Sequence, residues 1–257
     1  MKTTPGFIKA IRLNRENISS FKKYPFSIPA IKNLHHLTLH PSVTFFVGEN
    51  GSGKSTLIEA LAVKSGLNAE GGSHNFNFAS RESHSDLSRY LTLERSPRKA
   101  TDRYFLRAES FFNVATEIEK LDEDPQGGPR VLQNYGGVSL HEQSHGESFF
   151  ALMSNRFGGN GLYILDEPEA ALSPQRQMSM LVIMDNLVKQ GSQLIIATHS
   201  PILTAYPNAL IYQLSENKIE KVPYTKTEPY LVTRDFLNRH EKMLEILIEP
   251  PDLVQKE

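Results

Sequence analysis

The sequence predicts an α/β fold built on a mostly parallel sheet, and three observations carry that prediction. A glycine-rich loop, Gly48-Glu49-Asn50-Gly51-Ser52-Gly53-Lys54-Ser55, joins an apolar run to a helical one. Apolar strand patterns at 43–47, 162–165 and 193–197 alternate with helical patterns at 56–62 and 174–190. That alternation is the mark of parallel strands joined by crossover helices. Strand-like pieces near the N-terminus and a hairpin pattern at 209–222 make the sheet system mixed. In such a sheet, ligands sit at the C-terminal ends of the strands.

Taken in chain order, residues 7–13 alternate apolar and polar side chains and read as a half-exposed strand. Residues 26–31 read as another strand, at an edge because Pro29 lacks the N–H for a central ladder. Leu37 to Leu39 form a third, ahead of the buried strand Val43 to Val47. Thr56 to Ala62 follow the loop as a helix, and residues 66–88 are a loop-rich stretch of Gly, Ser, Asn and His. The segments 90–95 and 102–107 read as paired strands joined by a turn at Ser96-Pro97-Arg98-Lys99. Residues 111–121 have helical spacing, 122–129 are a polar break, and 146–157 form a further helix. A strand at 162–165 precedes a helix over 174–190, where Pro174 suits the first turn and Gly191 the position past the end. Residues 193–197 are the next buried strand, and 233–249 form a C-terminal helix stopped by Pro250-Pro251. The organisation expected is one domain over 1–257, with an inserted lobe at about 66–157.

Composition narrows the classes of function. The 257 residues are 39% hydrophobic, enough for a sizeable core, and 28 basic against 29 acidic residues give a net charge of −1. That balance exerts no global pull on nucleic acid or anionic membrane. Cysteine is absent, which excludes disulfides and thiolate metal sites and is compatible with a cytoplasmic protein. No apolar run approaches the roughly 20 residues that span a bilayer, so no direct membrane insertion is expected.

The loop at 48–55 fits the pattern G-x-x-x-x-G-K-[ST] at every required position. Strand, glycine-rich loop and helix N-terminus together form a cradle of backbone N–H groups that binds phosphate. Gly48, Asn50, Gly51, Ser52, Gly53 and Thr56 belong to that cradle. Lys54 would reach the β- and γ-phosphates and Ser55 would ligate Mg²⁺. Hydrolysis also needs a second metal ligand and a group that activates water. Asp166, at the end of an apolar strand, is the candidate for the first and Glu167 for the second. His199 follows the next strand and can hydrogen-bond the γ-phosphate or the water.

This combination resembles the ABC-type ATPase superfamily, within the P-loop NTPases. Asp166-Glu167 matches its Walker B aspartate and catalytic glutamate, Glu169 to Ser173 resembles its D-loop, and His199 matches its switch histidine. The family's signature, usually LSGGQ, has as its counterpart here Gln143-Ser144-His145-Gly146-Glu147, where Ser144 and Gly146 match and His145 and Glu147 depart. The resemblance implies ATP and Mg²⁺ as cofactors. It also implies a head-to-tail homodimer in which Ser144, Gly146 and Glu147 of one subunit close over the nucleotide of the other. The family's Q-loop glutamine has no clear match. Glu109 stands in its place as a possible oxygen donor to the metal, and Gln133 is the other candidate. Tyr24 lies at a plausible distance for an adenine-stacking aromatic but reads as core or edge packing.

Within the superfamily, Glu169, where transporter subunits usually carry Thr or Ser, and the absent Q-loop glutamine resemble a stand-alone ATPase of the RecF/SMC/OLD-like branch. The nucleotide-binding subunit of a transporter, and an ATP-driven dimerisation switch acting on DNA, are the alternatives. An SMC coiled coil is excluded, because 66–143 is too short and has no heptads. DNA contact would fall to Arg95, Arg98, Lys99, Arg103 and Arg107, and the protein partner is unspecified.

Overall fold

A computed structural model describes residues 4–73, 85–123, 133, 137, 145–216 and 218–248. The first half contributes β1 (Ile8–Leu13), α1 (Pro29–Lys32), β2 (His36–Thr38), β3 (Val43–Val47), α2 (Lys54–Lys64) and β4 (Gly72–Ser73). Next come α3 (Leu87–Tyr90), β5 (Leu91–Arg95), β6 (Asp102–Arg107) and α4 (Phe111–Glu123). After these stand α5 (His145–Asn155), β7 (Gly161–Asp166), α6 (Pro174–Lys189), β8 (Gln193–Ala197), β9 (Leu210–Leu214), β10 (Ile219–Lys221) and α7 (Glu228–Ile248).

The main sheet is seven-stranded in the order β10-β9-β3-β8-β7-β6-β4. Its central strands are parallel, and β10 and β4 run antiparallel at the two edges. A second, three-stranded antiparallel sheet has the order β2-β1-β5. This is the mixed, parallel-dominated α/β architecture that the alternation of patterns predicts.

The main sheet is buried on both faces, which is why its strands are apolar runs and not alternating ones. Successive residues still divide between two cores. Phe46, Phe105, Ile164, Ile195 and Tyr212 pack with α2 and the small sheet. Phe45, Tyr104, Tyr163, Ile196 and Ile211 pack with α4, α5 and α6. The period of two in the pleat sends alternate side chains of one strand into different cores. One polar side chain ties the layers together. Buried Gln193 accepts the N–H groups of Phe7 (2.8 Å) and Ile8 (3.0 Å) and donates to the carbonyls of Ile8 (2.8 Å) and His40 (3.0 Å).

Two expectations are corrected. Residues 29–32 form a helical turn and not an edge strand, because Pro29 takes the first helical position, where its missing N–H costs nothing. The segments 91–95 and 102–107 do not pair with each other. β5 joins β1 in the small sheet, and β6 lies parallel to β7 in the main one. Their burial differs accordingly, β5 being largely open and β6 buried over Tyr104 to Leu106. Arg98 holds the connection by donating to the carbonyls of Pro5 (2.7 Å) and Gly191 (3.0 Å).

Candidate active site

Four strand ends converge at one edge of the main sheet. β3 leads into the loop 48–53, β7 ends on Asp166, β8 leads to Thr198 and His199, and β6 ends on Arg107. Parallel pairing puts these ends side by side, with Asp166 level with Arg107 on one side and with Ala197 on the other.

The loop has the backbone that its glycines allow. Gly48, Gly51 and Gly53 have φ of 149°, 78° and 97°. At Gly48 a Cβ would collide with the Leu214 carbonyl, and at Gly53 it would stand 2.7 Å from Ile28 Cγ2. Only glycine meets both demands. α2 begins at Lys54, which is buried, and the ammonium donates to the carbonyls of Gly48 (2.8 Å) and Glu49 (3.0 Å). Burial lowers its pKa, while the carboxylates of Glu167 and Asp166 oppose that shift.

Ser55 Oγ donates to Asp166 Oδ1 at 3.1 Å. Asp166 is 3% exposed, and burial pushes its carboxyl up to about 7 against the pull of the Arg107 guanidinium and the Ser55 hydroxyl. A hydroxyl and a carboxylate already in contact are a hard, all-oxygen donor pair of the kind Mg²⁺ uses together with waters and phosphate oxygens. The described residues hold no cluster of three or more His, Cys, Asp or Glu that could hold a metal ion alone.

Glu167 has a left-handed backbone, φ 51° and ψ 50°, and donates its N–H to the Ala197 carbonyl at 2.9 Å. This turn separates its side chain from that of Asp166. Glu167 Oε1 lies 3.4 Å from His199 Nε2, and both side chains are about one-third exposed (36% and 34%). With Glu49 and Asn50 they line an open concavity of about 560 Å³. A second concavity, of about 320 Å³, runs from Lys54, Ser55 and Glu167 past Gly51 to Ile28 and Tyr24. Tyr24 is 66% exposed, so it belongs to the rim of this concavity and not to the core or an edge contact.

Gly146, in the first turn of α5, packs so closely on its own D-loop that a Cβ would stand 2.7 Å from the Ala171 carbonyl. Glu147 is exposed and lies 3.3 Å from Arg176 of α6. Ser144 lies outside the described residues. Glu109 is exposed and 3.4 Å from Arg107 Nη2. Gln133 is exposed.

Three residues make contacts at the site that their sequence positions do not foretell. Glu169 is half-buried beside the loop after β8 and accepts the His199 N–H at 2.5 Å. Arg107 belongs to the site and not to an outer basic face: it lies 2.9 Å from Glu59 and 3.7 Å from Asp166. Glu59 itself could have been found, because it lies one helical turn after Ser55 on α2. The other basic residues on these strands are also tied down. Arg95 donates to the Lys64 carbonyl (3.2 Å) and Arg103 to that of Ser65 (3.2 Å), both at the C-terminus of α2, and Arg98 stacks on Phe7. Among the described residues, no helix is long and apolar enough to cross a membrane.

Parts of this chain are similar to known proteins. An "AAA ATPase domain" family model matches residues 91–204, and an "AAA domain" model matches 12–124. The guanosine import ATP-binding protein NupO of Bacillus subtilis is 25% identical over 210 residues. That match covers 70% of this chain but 37% of NupO, so the chain spans little more than a third of that relative. Among solved structures, a chain of an inward-facing ABC transporter of the metal-chelate type superposes with a TM-score of 0.52 at 15% identity, over 89% of this chain and 88% of that one. The SMC head domain of Thermotoga maritima reaches a TM-score of 0.44 at 17% identity, over 84% and 98% of the two chains.

Proposed function

We propose that the chain is a P-loop ATPase of the ABC type, a reading that the two partial family matches and the fold support, and that it binds Mg-ATP and hydrolyses it as a head-to-tail homodimer. One observation supports this reading above the others. Glu167 and His199 face each other at 3.4 Å on an open wall beside the phosphate loop, so a paired set of polar groups is left uncovered where a γ-phosphate would end.

In this reading Lys54 leaves the two carbonyls it now holds and binds the β- and γ-phosphates, within the cradle of Gly48, Asn50, Gly51, Ser52, Gly53 and Thr56. Ser55 and Asp166 would hold Mg²⁺, which would supply the positive charge that neutralises the phosphates. Glu167 takes a proton from the attacking water, and His199 holds the γ-phosphate or that water. Tyr24 and Ile28 receive the base. The open wall is closed by Ser144, Gly146 and Glu147 of a second copy, whose helix N-terminus favours an anion. Glu109 stands in the Q-loop place and joins the metal's surroundings through Arg107.

A second reading, the ATP-binding subunit of a transporter, is favoured by the likeness to NupO. Glu169 and the missing glutamine favour a stand-alone enzyme. Release of inorganic phosphate from Mg-ATP, measured over a range of protein concentrations, tests the proposal. A specific rate that rises with protein concentration and vanishes in Lys54→Ala supports a dimeric ATPase. A specific rate independent of concentration removes the dimer, and no release at all removes the enzyme. Co-purification with a membrane subunit would favour the transporter.

A further inference from the structure

We propose that Arg107 and Glu59 are positioning residues that hold the Asp166 carboxylate in the orientation in which it can take Mg²⁺. The proposal rests on the reading of Ser55 and Asp166 as the metal's ligands.

The geometry is a closed ring. Ser55 and Glu59 are four residues apart on α2, so they share one face of the helix. From Ser55, the Oγ donates to Asp166 Oδ1 at 3.1 Å. From Glu59, Oε2 accepts Arg107 Nη1 at 2.9 Å. Arg107 and Asp166 are register partners on neighbouring parallel strands, and Arg107 Nε stands 3.7 Å from Asp166 Oδ2. The two oxygens of Asp166 therefore have different neighbours, a hydroxyl and a guanidinium, and rotation of the carboxylate disturbs both.

Glu59 is itself fixed. It is 9% exposed, and its other oxygen accepts the Ser85 N–H at 3.2 Å. Arg107 Nε has no hydrogen bond of its own, so the approach to Asp166 has room to tighten. Among the described residues, Glu109 also pairs with Arg107, 3.4 Å away and exposed. An ion pair that only pinned β6 to α2 would need Glu59 and Arg107 alone. Here the same guanidinium faces the residue read as the metal's carboxylate ligand. Groups that orient a ligand from behind are typically worth about 10- to 100-fold in metal affinity.

Two effects of Arg107 have opposite signs, which makes the proposal decidable. As a positioning residue it strengthens Mg²⁺ binding. As a mere neighbouring cation it weakens it. The experiment titrates Mg²⁺ into the protein with a fluorescent N-methylanthraniloyl ATP, and repeats the nucleotide titration in EDTA. Wild type, Arg107→Gln, Arg107→Lys and Glu59→Gln are compared, with circular dichroism melts to confirm folding. Glu59→Gln keeps shape and volume, so it serves where removal of the arginine disturbs the fold. In Arg107→Gln and Glu59→Gln, Mg²⁺ half-saturation should rise about 10- to 100-fold while binding in EDTA changes by less than about twofold. Arg107→Lys should recover part of the loss, since it keeps the charge but not the planar fork. An unchanged or lower half-saturation, or equal loss with and without metal, overturns the proposal. If Mg²⁺ fails to strengthen nucleotide binding in the wild type, the assignment of Ser55 and Asp166 falls, and this inference with it.

Discussion

Glu169 accepts the backbone N–H of His199 at 2.5 Å, so the turn after β7 is tied to the loop after β8. The carboxyl is buried, and burial keeps it above the usual carboxylate range against the pull of that N–H. One of its oxygens has no hydrogen bond.

Glu169→Ala should lower kcat with little change in nucleotide affinity. His199 would lose its anchor while the phosphate loop kept its own. Misplacement of a catalytic group by about 1 Å can cost about 100-fold, so a loss of about 10- to 100-fold is expected, with Glu169→Gln intermediate because its amide oxygen still accepts. Phosphate release and fluorescent-nucleotide binding, measured side by side, separate the two effects. A matched loss in both would mean that Glu169 supports the whole site and not His199.

Much of this edge was legible in the sequence, for a physical reason. The phosphate loop, Asp166, Glu167 and His199 each follow directly on a run of buried apolar residues, and parallel strands deliver their ends to one edge. What stayed hidden depends on contacts distant in sequence. Arg107 and Glu59 are separated by 48 residues, and Glu169 and His199 by 30. Local pattern carries no trace of either pair. The same limit explains β5 and β6, which look like a hairpin because a turn joins them, yet find partners in different sheets. At 29–32 a proline that reads as an edge-strand mark was a helix start, and local pattern alone does not distinguish the two.

Gln193 should carry more stability than its side-chain type suggests. Its amide serves buried backbone groups of Phe7 and Ile8 and the part-buried His40 carbonyl, so Gln193→Leu leaves several of them without partners. Leaving a buried donor or acceptor unsatisfied costs about 1–3 kcal/mol. Urea unfolding should therefore show a loss of about 2–4 kcal/mol at unchanged m-value. A loss under about 0.5 kcal/mol, within the range of ordinary surface substitutions, would show that the N-terminal strand is held by other means.

Tyr163 gives a pH dependence of known sign. Its hydroxyl accepts the Gly158 N–H at 2.7 Å, and its proton faces the Gly158 carbonyl (2.8 Å) and Asp102 Oδ2 (3.1 Å). Burial, and then the Asp102 carboxylate, raise the phenol well above its ordinary value of 10, while the Gly158 N–H opposes them. The folded state thus holds this proton more tightly than the unfolded state. The resulting stability is fully present below about pH 10 and is lost as pH rises from there toward the folded pKa. Wild type should exceed Tyr163→Phe in stability by a constant margin up to about pH 10, and the margin should shrink above it. A margin that stays constant through pH 11 would exclude this linkage.

In the proposed dimer a second chain completes the site of the first, and Glu167→Gln probes that arrangement. The substitution removes the group assigned to the attacking water while leaving the phosphate loop, Ser55 and Asp166 in place. Hydrolysis should fall by about 10²- to 10⁴-fold, so ATP should persist at the interface. Size-exclusion chromatography with light scattering, run without nucleotide, with Mg-ADP and with Mg-ATP, reads the outcome. A dimer is expected in Mg-ATP and a monomer in the other two conditions. A variant that binds Mg-ATP yet stays monomeric at every protein concentration would contradict it.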